Sequence, residues 1–152
     1  MKKALFLICL AFCSVSLYAQ STNPKYDAAL AKTLGADDYG MKAYVLVILK
    51  SGSNTTADKA TIDSAFKGHM TNMGRLVSEG KLIVAGPLQK NDKKYRGIFI
   101  LNVPTVEEAT KLVDTDPAIK AKLLEAELYG WYGSAALPEH LKIHDRIEKK
   151  SF

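Results

Sequence analysis

Residues 66–88, FKGHMTNMGRLVSEGKLIVAGPL, constrain the fold more than any other stretch. Apolar side chains stand at Phe66, Met70, Met73 and Val77. That spacing marks one face of a helix with 3.6 residues per turn. Gly80 follows, and a glycine there suits the left-handed residue that ends a helix. Leu82, Ile83, Val84 and Ala85 then make a short apolar strand, closed by Gly86-Pro87. His69 sits on the helix, one turn after Phe66 and one turn before Met73, so it is expected at or near the buried face.

Upstream, MKAYVLVILK (41–50) reads as a strand with almost no polar alternation, as in a strand covered on both faces. A helix is expected over 59–79, with Thr56 or Asp58 as N-cap. The strand at 81–86 follows, then a polar hairpin connection at 88–94 and a third apolar strand at 95–103. Thr105 with Glu108 three residues later forms a capping box for the next helix, which carries Val106, Ala109, Leu112 and Val113. Asp116-Pro117 interrupts it. A further helical piece runs through Ile119, Leu123 and Leu124, and a fourth strand spans 125–131. Pro138 starts a C-terminal helix reaching about Lys149.

This order is an α+β, ferredoxin-like βαββαβ pattern. Two helices cover one face of its four-stranded sheet, yet the first and third strands read as apolar on both faces. A second copy of the sheet is the simplest cover, which predicts a homodimer with a shared core, a dimeric α/β barrel. The alternative cover is the N-terminal arm and the C-terminal helix folded across the sheet.

The ends of the chain carry different information. Lys2-Lys3 precede an apolar run from Ala4 to Val15, and Ser16 and Ala19 suit cleavage after Ala19. The run is shorter than the roughly 20 residues of a spanning helix. The expected organisation is a signal peptide at 1–19, an arm at 20–40, a folded domain at 41–133 and a helical tail at 134–152. Both cysteines, Cys9 and Cys13, lie in the leader, and neither follows the small residue a lipoprotein signal needs. The processed chain would have no disulfide, thiolate nucleophile or cysteine metal site. That combination fits the bacterial periplasm or secretion, with no membrane attachment after cleavage. The net charge of +5 includes the two leader lysines, and no long basic run appears, so nucleic acid is not an expected partner.

The segments GHMTNMGRLVSEGKLIVAGPL and GIFILNVPTVEEATKLVDTDPAIKAKLLEAELYGWYG resemble the YCII-related (YciI-like) proteins. The resemblance rests on His69, Gly80-Lys81-Leu82, Ala85-Gly86-Pro87, Glu107-Glu108-Ala109, Asp116-Pro117 and Trp131, in that order, over about residues 41–132. It implies a dimeric α/β barrel related to the muconolactone-isomerase-like group, with a site built on His69 and Asp116. It departs from the family after Asp-Pro, where an aromatic residue is common and Ala118 stands here.

Histidine exchanges protons near neutral pH, and an aspartate on its other ring nitrogen would fix its tautomer. His69 and Asp116 are therefore the candidate catalytic pair. A lone histidine on a helix face also fits a satisfied structural residue, and Asp116-Pro117 also fits a helix boundary. No nucleophile-elbow serine is present, so covalent catalysis is disfavoured. The expected chemistry is acid–base work on a small-molecule ligand, of the lactone isomerisation or elimination class, by analogy. The alternative is a non-catalytic dimeric module that binds a small ligand. Arg75, Pro87 and Trp131 are the candidate substrate-binding residues: Arg75 for an anionic group, Pro87 in the turn and Trp131 in a pocket wall with Tyr129 and Tyr132. His140 and His144 share a helix face. No acidic residue in the metalloprotease arrangement accompanies them and basic residues surround them, so no metal and no organic cofactor is expected.

Overall fold

The computed structural model describes residues 23–150, and the expected leader at 1–19 lies outside them. The chain forms α1 (Ala28–Leu34), β1 (Met41–Ser51), α2 (Lys59–Ser78), β2 (Leu82–Pro87) and β3 (Tyr95–Leu101). It continues through α3 (Val106–Val113), the single turn α4 (Pro117–Lys120), β4 (Leu124–Ser134), a 3-10 turn (Leu137–His140) and α5 (Leu141–Ile147). The four strands form one antiparallel sheet in the order β2-β3-β1-β4. With α2 and α3 packed on one face, this is a ferredoxin-like α+β arrangement.

Local chemistry explains most element ends. Asp58, rather than Thr56, caps α2, its carboxylate accepting from the Thr61 N–H at 2.7 Å. Thr105 caps α3 through the Glu108 N–H at 3.2 Å. Gly80 has φ 67°, and the Gly80 and Lys81 N–H groups donate to the Val77 and Leu76 carbonyls at 2.9 and 2.8 Å, closing the last turn of α2. The fourth strand is longer than expected. It pairs with the whole of β1, from Met41 opposite Ser134 to Ser51 opposite Leu124. Leu124, expected in a helical piece, opens the strand, because α4 stops at Ala121 and Lys122 turns the chain at φ 56°.

The buried stripe of α2 also differs from the apolar spacing. Ala65, His69, Asn72 and Leu76 are buried, Phe66 and Met73 are half-buried, and Met70 and Val77 are exposed. The helix is rotated so that a histidine and an asparagine face inward. Each of these polar groups has a hydrogen-bond partner, which is what makes their burial tolerable.

The sheet has two different faces. Toward the helices point Val45, Val47, Leu49, Leu82, Phe99 and Leu101, all buried, against Leu76, Ala109 and Val113. Leu46, Ile48, Ile98 and Ile100 alternate with them on the other face and are only half-buried. Tyr44 is buried there under the Trp131 ring, with centroids 5.6 Å apart, while Tyr129 and Trp131 stay exposed. Strands expected to be covered on both faces are thus covered on one. Neither α1 nor α5 contains a buried residue, so neither is packed as a lid. Among the described residues no helix is long and apolar enough to cross a membrane.

Candidate functional site

His69 and Asp116 are brought together by a close approach of two helices. Gly68 of α2 lies against Pro117 of α4. A Cβ built on Gly68 would stand 2.7 Å from the proline Cγ and 3.0 Å from its Cβ, so any larger residue would push the helices apart. The next residue on each side is a member of the pair. His69 Nδ1 and Asp116 Oδ2 are 2.7 Å apart, and Asp116 Oδ1 accepts from the Ala118 N–H at 2.9 Å. Asp116 is 2% exposed. The family's aromatic position, Ala118, is fully buried here and serves as the backbone donor that fixes the carboxylate.

When Asp116 is ionised, Nδ1–H is the donor in this bond, and in a neutral imidazole Nε2 then keeps a lone pair. Nε2 has no partner in the protein. Among the described residues no buried side-chain nitrogen or oxygen lacks one, so Nε2 is open to solvent. The opening is a cavity of ≈ 370 Å³ between α2 and the β2–β3 edge. Phe66, Met70 and Met73 line its helix side, and Pro87, Phe99 and Leu124 line the sheet side. The imidazole is held between two rings, parallel to Phe99 (5.9 Å) and edge-on to Phe66 (6.0 Å). Hydrogen bond and aromatic packing together leave one ring nitrogen presented to an apolar space.

The other expected contacts divide. Pro87 lines the cavity, whereas Arg75 and Trp131 do not. Arg75 donates to Glu79 (2.7 Å), Asn72 (2.8 Å) and Thr115 (3.0 Å), and Thr115 donates to Asn72 at 3.0 Å. Arg75 therefore braces α2 against the residue preceding Asp116. Trp131 lies across the sheet, on the face away from the helices, because it stands opposite Tyr44 in the β1–β4 register. Arg96, which no motif in the sequence marks, is a cavity residue. On the tail, His140 Nδ1 lies 2.8 Å from the Leu137 carbonyl, and His144 Nε2 lies 3.9 Å from Glu148. Among the described residues no group of three or more His, Cys, Asp or Glu side chains is arranged to hold a metal.

The histidine–aspartate pair, the Ala-Gly-Pro turn and the strand reaching Trp131 fall within one matched region. The model of the YCII-related domain matches residues 43–131. The chain belongs to the YCII-related family. Among solved structures, the 5-chloro-2-hydroxyhydroquinone dehydrochlorinase of Burkholderia phenoliruptrix, in complex with 2,5-dihydroxybenzoquinone, is 23% identical. That match covers 58% of this chain and 92% of the other, with a TM-score of 0.43. No curated protein matches the chain.

Proposed function

We propose that this YCII-related protein is a small-molecule enzyme that works by proton transfer. His69 is the general base and acid, and Asp116 orients it. The supporting observation is the 2.7 Å His69–Asp116 bond, which leaves Nε2 as the free basic nitrogen facing an apolar cavity. Nε2 takes a proton from a carbon beside a carbonyl. The imidazolium, held by the carboxylate, then returns that proton to a neighbouring carbon in an isomerisation, or to the leaving group in an elimination. Pro87 forms part of the wall against which the ligand packs.

The working unit in this reading is a homodimer. The half-buried row Leu46, Ile48, Ile98 and Ile100, with Trp131 and Tyr129 beside it, is the surface a second sheet would cover, giving the dimeric barrel. Residues 41–133 form the catalytic domain, residues 20–40 and 134–152 are its arm and tail, and a leader at 1–19 directs export to the periplasm or medium. We assign no metal or organic cofactor to the reaction.

The test is exchange of α-protons into D2O, followed by proton NMR over a panel of γ-lactones and small ketones. The wild type exchanges at least one compound, and His69→Ala does not. Asp116→Asn reverses the hydrogen bond and puts the proton on Nε2; by analogy with the Ser-His-Asp triad it slows exchange by about 10⁴-fold. Exchange that persists in His69→Ala sinks the assignment. Saturable binding of panel compounds with no exchange in the wild type replaces it with a non-catalytic ligand-binding module, for which the apolar cavity alone is sufficient.

A further inference from the structure

We infer that Arg96 makes this cavity selective for a compact apolar molecule carrying an anionic oxygen group, a carboxylate or an enolate. The inference rests on the cavity reading above and names its substrate class. Its starting point is the register of the sheet. Leu49 stands opposite Gly97 and Lys50 opposite Tyr95, so one step along β1 spans two residues of β3. Arg96 is the extra residue of a β-bulge. Strict alternation from Gly97, which lines the cavity, would send Arg96 to the opposite face of the sheet. The bulge lets Arg96 and Gly97 line the cavity together.

The surroundings explain what that re-aiming accomplishes. The cavity wall is otherwise apolar apart from His69, and no carboxylate lines it. Among the described residues Arg96 makes no ion pair or side-chain hydrogen bond, in contrast to Arg75, which is bound on three sides. Arg96 is exposed at the mouth of the cavity, with its planar fork free to pair with two oxygens of one anionic group while the apolar wall beside it takes the rest of the ligand. A volume of ≈ 370 Å³ is near the small end of ligand cavities, roughly 300–1,000 Å³, and suits a single substituted ring. The anionic end rests on Arg96, the ring lies against Met73 and Phe66, and the remaining polar group, Nε2 of His69, faces the ligand body. Arg96 selects and positions the ligand and takes no part in proton transfer.

Benzoate and its neutral counterpart benzamide are the probes, titrated into the full chain by NMR. The wild type binds benzoate about tenfold more tightly than benzamide, as expected for one charge-assisted pair. Arg96→Gln removes that preference and leaves benzamide affinity unchanged, and Arg96→Lys keeps part of it. Equal benzoate affinity in the wild type and Arg96→Gln overturns the inference, as does a wild type that binds neither probe. Equal loss of both ligands in Arg96→Gln overturns it too, since that marks a structural role. Benzoate offers no acidic C–H, so its binding is blind to catalysis. A failed exchange assay with the benzoate preference intact removes only the proton-transfer reading. A failed preference with exchange intact removes only the role of Arg96.

Discussion

The two faces of the sheet have nearly the same residue types and opposite fates. Leu101 and Ile100 are neighbours on β3. Leu101 is fully buried beneath the helices, and Ile100 is half-buried on the other side. Leu49 and Ile48 on β1 repeat the contrast. The helix-covered face gains a closed apolar core and, at its edge, a cavity holding one histidine. The other face keeps a half-buried apolar row, Leu46, Ile48, Ile98 and Ile100, that no helix of the chain covers. Composition does not separate the faces; the presence of α2 and α3 on one side does.

Substitutions can be aimed at each face. Leu101→Ala removes a fully buried side chain, and the loss of contacts with the cavity it leaves is expected to cost about 2–5 kcal/mol in urea unfolding. Ile100→Glu, one residue away, is expected to leave the fold intact and convert the proposed dimer to a monomer, read by light scattering. If Ile100→Glu unfolds the chain or leaves a dimer unchanged, the two faces do not divide core from interface as described.

The next smaller effect sharpens the covered face. Gly68→Ala places a methyl group against the Pro117 ring and is expected to cost about 1–3 kcal/mol, as overpacking does. It should also weaken the His69–Asp116 bond, seen as a shifted Nδ1 proton resonance. A silent Gly68→Ala would mean that the helix approach is not what sets the pair.

The smallest effect concerns the end of the sheet where the arm enters. Tyr132 donates a hydrogen bond to Asp37, which holds the tyrosine in its neutral form and pushes its pKa up to about 12 from 10.0. The same bond, with the Met41 N–H, holds Asp37 below the usual carboxylate range. The raised tyrosine contributes stability that is complete below pH 10 and fades as pH rises through about 12. The depressed aspartate contributes stability above its ordinary value of 3.8, and this is lost as pH falls through its lowered folded pKa. Tyr132→Phe is expected to flatten both limbs slightly in thermal melts across pH. Unchanged limbs would mean that the arm contact adds nothing.

Much of this molecule was legible in the residues. The strand and helix order, the caps at Asp58 and Thr105 and the stop at Gly80 follow rules that act within three or four residues, and the structure follows them. His69 stands out as the one histidine on the second helix, and the resemblance to the YCII-related proteins marks Asp116 as its partner. On α2 the burial of His69 is as expected, but the apolar spacing assigns Met70 and Val77 to the buried stripe and passes over Asn72 because it is polar. Hydropathy does not record that each polar side chain finds a partner from the 115–116 turn. For Arg75 the charge suggests an anionic ligand, and the fold supplies it with three partners of its own.

The sequence alone determined the α+β class, the order of elements and the residues able to move a proton, because periodicity, capping and side-chain chemistry are local properties. Only the tertiary structure decided that His69 meets Asp116 across 47 positions of chain, that Arg75 braces while Arg96 lines the cavity, and that one sheet face remains half-open. Those outcomes depend on how closely α2 approaches Pro117 and on a single extra residue in β3. Both are distances between elements, set by packing that no short stretch of sequence contains.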